Sequence, residues 1–364
     1  MAEIYSFYPL LAFITAFLIT YFSIPAIIRL SLVKKLYDRP DERKKHGSRI
    51  TPLGGIAIFG GLIISFVFFT ANIMNPALNS VLVALFVLFI TGVKDDLYPL
   101  VPYKKLLGQL IAVGIVILQG DIRLERFYGL FGIWELPYFI SVAISFVFFL
   151  GIINSFNFID GINGLSSSLG IVFSLVYASW FYYLDEPMFL TLALCIAGSQ
   201  FAFMRYNFIN AKIFMGDSGS MILGFFAGLL TIYFLQANEK TDSPIFLHID
   251  ALVFSVAVLI IPILDTMRVV FIRVFILRRS PFTADRNHIH HALLDIGLTH
   301  VSATLILVAV NLFFVAFAFF LNPYMRASHL LLSLSLLALG ASQVPFIIKK
   351  SRKQKIEQST TSDI

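Results

Sequence analysis

The sequence predicts an all-α polytopic membrane protein of about eleven transmembrane helices, with its N-terminus outside and its C-terminus in the cytoplasm. Three observations predict it. The 364 residues are 58% hydrophobic and only 13% charged, about half the ~25% charge of a soluble domain. Apolar runs of about 20 residues, the length that crosses a ~30 Å hydrocarbon core, recur along the whole chain. The lysines and arginines gather in alternate short loops, as cytoplasmic loops of membrane proteins do.

The first run, 7–31, reads as a retained span and not a cleaved signal. Glu3 stands where a basic leader would be, and no small-residue cleavage site follows. Runs at 53–71, 78–93 and 105–119 come next, the last of them short. The amphipathic stretch from Asp121 to Leu136 reads as an external hairpin or re-entrant piece. Runs 137–155 and 163–183 are joined by only a few residues, Asn157 to Asn163. Run 188–205 holds the single cysteine, Cys195, which has no partner for a disulfide and reads as a buried structural thiol. Runs 218–236, 250–272, 300–321 and 328–348 complete the series. Residues 1–348 thus form one bundle with no room for a sizeable soluble domain. Residues 349–364, basic and then Ser/Thr-rich, read as a mobile cytoplasmic tail touching anionic lipid.

With the N-terminus outside, the loops at 32–52, 94–104, 156–162, 206–217 and 273–299 are cytoplasmic. Of the 27 Lys and Arg, only Arg123, Arg126, Lys240 and Arg326 fall on the other side, leaving 23 in or beside these segments. Topology therefore explains the net charge of +6, and nucleic acid is not an expected partner.

Every dense polar motif lies at the cytoplasmic edge, which points to chemistry on the inner membrane face. Asp38-Arg39-Pro40-Asp41-Glu42 leads into Arg43, Lys44, Lys45, His46 and Arg49, cations that can hold a polyanion or simply anchor the loop. Thr51-Pro52 and Gly54-Gly55 then open a span. Asp95-Asp96 at the end of the third span suit a general base or a ligand for Mg²⁺, a hard cation that prefers oxygen; solvated loop acids are the plainer alternative. From Asn154 to Gly164 three further residues, Asn157, Asp160 and Asn163, interrupt apolar sequence, with Gly161 and Gly164 freeing backbone. Polar groups at membrane depth are costly and usually functional. Phe214-Met215-Gly216-Asp217-Ser218 opens another span, where Asp217 suits either a helix cap or a metal ligand. Arg286, His288, His290 and His291 form a cluster fit for an anion. No Cys or further acid has the spacing a zinc site would need. Asp265 and Arg268, three apart on one helical face, read as an ion pair that positions a Pro262-kinked helix.

In this order and on one side, these motifs resemble the polyprenyl-phosphate N-acetylhexosamine-1-phosphate transferase family of bacterial cytoplasmic membranes, relatives of the phospho-N-acetylmuramoyl-pentapeptide transferase. The resemblance runs from about Asp38 to Gly297. It implies transfer of a sugar 1-phosphate from a UDP-N-acetylhexosamine to polyprenyl phosphate, releasing UMP at the first membrane step of an envelope glycan. It implies Mg²⁺, or Mn²⁺, as cofactor. Asp95 and Asp96 match the family's aspartate pair, and Asp217 its metal ligand with Asp96 beside it. Asn157, Asp160 and Gly161 match the segment next to metal and nucleotide. Phe214 resembles a uracil-stacking aromatic, and Asn207 a uridine-pocket amide. His288, His290 and His291 match the motif near the diphosphate, with Arg286, Lys45, His46 and Arg49 as anion contacts. Asn163 departs from the usual second aspartate, and an amide there suits reading the base. The His-x-His-His form favours the N-acetylglucosamine branch. Direct attack and an aspartyl-phosphate intermediate both stay open, and so does a homodimer. An ion-coupled transporter of an anionic metabolite is the rival class, but it would need polar groups at the midplane and on both sides. A CDP-alcohol phosphotransferase would need Ala-Arg after Asp160-Gly161, which is absent.

Overall fold

The computed structural model describes residues 7–37, 50–71, 76–239, 249–278, 280 and 287–362. In lipid a backbone must satisfy its own hydrogen bonds, and a helix does this within one segment. The regular structure of the described residues is accordingly helical, apart from two isolated bridges.

In chain order the helices are α1 (Tyr8–Lys34), α2 (Gly54–Thr70), α3 (Pro76–Leu97), α4 (Pro102–Gly114), α5 (Tyr138–Ile159), α6 (Leu165–Tyr183) and α7 (Pro187–Asn207). They continue as α8 (Gly216–Glu239), α9 (Ala251–Val258), α10 (Ile260–Phe271), α11 (Ile289–Asp295), α12 (His300–Leu321) and α13 (Ala327–Ser362). A π-helical turn extends α4 to Gln119 and another extends α10 to Ile276. Local chemistry sets several of the starts. Pro102 and Pro187 occupy first turns, where the missing N–H is harmless. Asp250 and Thr299 cap α9 and α12 by accepting from Val253 N and Ser302 N.

Each predicted run is helical. Among the described residues eight helices are long and apolar enough to cross a membrane, and the α9–α10 pair, bent by 74°, makes a ninth if it is one span. The two remaining runs, α2 and the α4 segment, are shorter: α2 has 17 residues and α4 has 13. The expected hairpin between α4 and α5 is present. Phe127 N donates to Trp134 O and Leu136 N to Glu125 O, while Ser141 and Ser145 of α5 tie its Leu124 backbone down. The tail departs from expectation: α13 runs unbroken to Ser362, and Lys349 pairs with Asp295 at 2.7 Å.

The bundle is organised around α8. Its whole apolar window is buried, and α2, α3, α5, α6, α7 and α9 all pack against it. The outer helices expose large apolar side chains, among them Phe22, Phe68, Phe139 and Phe320, as a surface solvated by acyl chains should. Serines and threonines inside spans return their hydroxyls to the preceding turn, as in Thr231 Oγ1 to Ala227 O at 2.7 Å. Because α8 is enclosed, the groups at its N-terminal end converge with the ends of its neighbours, and the polar motifs meet there.

Candidate active site

The site starts from the turn that opens α8. Gly216 has φ +75°, and an added Cβ would lie 1.9 Å from Pro52 O and 2.6 Å from Asp96 Oδ1. Only glycine fits there. Residues 51–55 run alongside 213–215: Phe214 N donates to Thr51 O, Gly54 N to Phe214 O and Gly55 N to Met215 O. The end of the first motif is thereby stitched to the fourth.

Asp96 caps α8 from outside the helix. Its Oδ1 accepts from Asp217 N at 2.6 Å, and its Oδ2 from Ser218 N at 3.1 Å and Ser218 Oγ at 2.6 Å. Both oxygens accept hydrogen bonds, so Asp96 holds the start of α8 in place. The same bonds answer the question posed by Asp217. Its carboxylate does not cap α8; it turns toward the neighbouring helix ends.

Lys105, from the first turn of α4, reaches those carboxylates. Its Nζ lies 2.6 Å from Asp217 Oδ1 and 3.3 Å from Asp95 Oδ2. It also donates to Asn157 Oδ1 at 3.1 Å. Asn157 Nδ2 closes on Asp217 Oδ1 and donates to Ser220 Oγ at 3.0 Å. Asp95 Oδ1 holds Leu100 N at 2.6 Å, which orients its second oxygen toward the lysine. Behind this cluster Asn154 and Gln109 exchange amide bonds, Asn154 Nδ2 to Gln109 Oε1 at 2.8 Å. The result is an oxygen-rich nest of two carboxylates and an amide with an ammonium at its centre. Its donor set fits a hard divalent cation.

Asp160 ends α5 beside this nest. Burial pushes its carboxyl well above the usual range, and the negative charges of Asp217 and Asp96 push the same way. A Cβ on Gly161 would sit 2.8 Å from His290 Nε2, so this glycine admits a second cluster. There Asp265 accepts from His288 Nδ1 at 2.8 Å and from Ile289 N at 2.5 Å, with His290 Nδ1 at 3.3 Å. The His290 and His291 rings lie 4.4 Å apart. Ligand atoms of Asp265, His288 and His290 fall within 4.8 Å of one another, a group that could hold a metal. The acid that the sequence did not show next to the histidines comes from α10. Asp265 does not pair with Arg268, which donates to Asn287 O and lies over the Phe346 ring.

The remaining expectations divide. Asn163 lies at the same edge, its backbone tied to His300 Nδ1 at 3.3 Å and to Thr304 Oγ1 at 3.0 Å. Phe214 is half-buried on the strip beside Thr51. Asn207 is buried, its Oδ1 accepts from Gly164 N at 2.7 Å and its Nδ2 donates to Ile213 O at 2.9 Å. Both ends of that amide are spent on backbone. Lys45, His46, Arg49 and Arg286 lie outside the described residues. Sequence reasoning passed over Lys105, whose charge looked like one more anchoring cation, and Asp265, whose partners are 23 and more residues away.

Residues 78–235, which contain the nest, match the model of glycosyl transferase family 4. The chain is 30% identical over 306 residues to a probable undecaprenyl-phosphate N-acetylglucosaminyl 1-phosphate transferase of Bacillus subtilis, covering 83% of this chain and 82% of that one. It is 30% identical over 338 residues to the decaprenyl-phosphate N-acetylglucosaminephosphotransferase of Mycobacterium tuberculosis, covering 85% and 82%. A third relative, the undecaprenyl-phosphate alpha-N-acetylglucosaminyl 1-phosphate transferase of Yersinia pestis, is 29% identical over 277 residues, 72% of this chain and 71% of its own.

Proposed function

The chain belongs to glycosyl transferase family 4, and from that premise we propose that it transfers N-acetylglucosamine 1-phosphate from its UDP-sugar to polyprenyl phosphate. The products are polyprenyl-diphosphate N-acetylglucosamine and UMP. The observation that carries this reading is the meeting of Asp95, Asp217, Asn157 and Lys105 at one end of the bundle, beside the histidine cluster. A lipid phosphate and a water-soluble nucleotide can meet only at such an edge. We place it on the cytoplasmic face, with eleven spans, the N-terminus outside and the protein in the bacterial inner membrane, because the basic residues crowd the same edge.

The bond that forms joins a polyprenyl phosphate oxygen to the sugar-bearing phosphorus; the bond that breaks releases UMP. Positioning and charge neutralisation supply most of the acceleration in such a transfer. Mg²⁺, held by Asp217 with Asp95, would neutralise the diphosphate. Lys105 fixes the two carboxylates and adds a positive charge where phosphate oxygens arrive. Asn157 holds Asp217 in place. Asp95, anchored through one oxygen on Leu100 N, presents the other beside Lys105, as the base for the proton of the lipid phosphate. His288, His290 and His291, with Arg286, bind the diphosphate and sugar side. Phe214 stacks on uracil, Asn163 reads the base, and Lys45, His46 and Arg49 draw in the anionic substrates.

The test gives the purified protein polyprenyl phosphate, Mg²⁺ and a panel of UDP-sugars, and assays UMP and the lipid product. UDP-N-acetylglucosamine should turn over best. Absence of UMP release with every UDP-N-acetylhexosamine would overturn the reading.

A further inference from the structure

We infer that Asp265 is a positioning residue of the transfer reaction, setting the tautomer and orientation of His288. The argument rests on the transferase reading for the role of the histidines, and on geometry for everything else.

Asp265 is 2% exposed, on the far side of the 74° break between α9 and α10. A buried carboxylate must be met by donors, since an unpaired charge inside protein is costly. Two donors meet it, and both come from the start of α11. Ile289 N binds Oδ1 at 2.5 Å, His288 Nδ1 binds Oδ2 at 2.8 Å, and His290 Nδ1 approaches the same oxygen at 3.3 Å. A carboxylate only accepts, so His288 carries its proton on Nδ1 and leaves Nε2 as the open nitrogen. An imidazole's free nitrogen is set in this way by the bond its other nitrogen makes. His290 is 1% exposed and lies between Asp265 and the Asp160–Gly161 turn. Its Nε2 is the atom closest to the Gly161 α-hydrogen face, where a Cβ would come within 2.8 Å. The bent helix thus delivers one carboxylate that starts α11 and aligns the His288 imidazole, with His290 packed between it and the turn beside the carboxylate nest.

Asp265→Asn separates these duties. The amide oxygen can still accept from Ile289 N, so α11 keeps its start, but the amide N–H₂ would face His288 Nδ1 with a proton. The imidazole must then move its own proton to Nε2. We expect ¹⁵N spectra of histidine-labelled protein to show His288 changing from the Nδ1–H to the Nε2–H form. The kcat for UMP release should fall on the order of 10- to 100-fold, a usual loss when a group orienting another is removed, with KM for the UDP-sugar changed far less. In the double variant with His288→Ala, the second substitution should add almost nothing to the loss caused by His288→Ala alone. An unchanged tautomer, or losses that multiply in the double variant, would overturn the inference. The spectra need no substrate, so they test it even if no UDP-sugar is turned over, an outcome that would sink the transferase reading instead.

Discussion

The two aspartates nearest the start of α8 look alike in sequence and differ in what they do. Asp96 spends both oxygens on the helix, whereas Asp217 faces Lys105 and Asn157. Asp217→Asn should therefore leave the melting temperature in detergent nearly unchanged and cut kcat on the order of 10²- to 10³-fold, the size of a lost electrostatic stabiliser. Near-normal turnover of a well-folded Asn variant would refute the role. Lys105 occupies the position between Asp95 and Asp217 where a divalent cation would also bind. Lys105→Met should lower kcat yet shift the Mg²⁺ titration midpoint to lower concentration, because a competing cation is gone. A midpoint that stays put or rises counts against the shared position. Asn163 stands apart: its backbone is tied to α12. Asn163→Asp should alter the KM for the UDP-sugar and leave the Mg²⁺ midpoint where it was. At this scale the sequence was a partial guide. Polar residues such as Asp217 and Asn157 stood out against apolar runs. A lone lysine at a span end did not, since anchoring cations look the same, and the backbone bonds of Asn207 were not legible because an amide reads alike whether it binds ligand or backbone.

Single contacts become a site only because whole elements hold them, and α8 is the element that matters most. It begins at a left-handed glycine, is capped by α3 through Asp96, and is flanked by a strip pairing 51–55 with 213–215. Asp96→Ala removes three accepted bonds and should destabilise the protein by roughly 2 kcal/mol, in the range for a lost cap with buried donors left over. Activity and melting temperature should fall together, in contrast to Asp217→Asn, and differential scanning fluorimetry beside a UMP assay would separate the two patterns. A fall in activity with no change in melting temperature would show that Asp96 acts in the chemistry. The helices themselves were legible, because a run of apolar residues in lipid has few alternatives to a helix. The cap was not, since its donor and acceptor lie 121 residues apart. The 74° break was half-visible: Pro262 announced a kink, but nothing local announced that the kink presents Asp265 to α11.

Across the whole molecule, sidedness links fold to function. The C-terminal ends of α3 and α5 and the N-terminal ends of α4 and α8 share one edge of the bundle, and the hairpin between α4 and α5 must lie at the opposite edge. Composition made the membrane legible and the basic loops made the edge legible; the long α13 was missed because a basic, Ser/Thr-rich sequence resembles a tail, while in the structure Lys349 anchors it to Asp295. The topology can be read with thiols. Cys195 is buried, so the natural protein should resist a membrane-impermeant maleimide and offers a silent background. Tyr98 is 73% exposed at the end of α3, and Glu135 is exposed on the hairpin. Tyr98→Cys should label only in inside-out vesicles and Glu135→Cys only in right-side-out ones. Labelling of both from the same side would break the arrangement of α4 as a full crossing, and labelling in the reverse sense would place the carboxylate nest outside. The reversed result is incompatible with a nest that meets a UDP-sugar in the cytoplasm, so the vesicle experiment tests the fold and the proposed chemistry together.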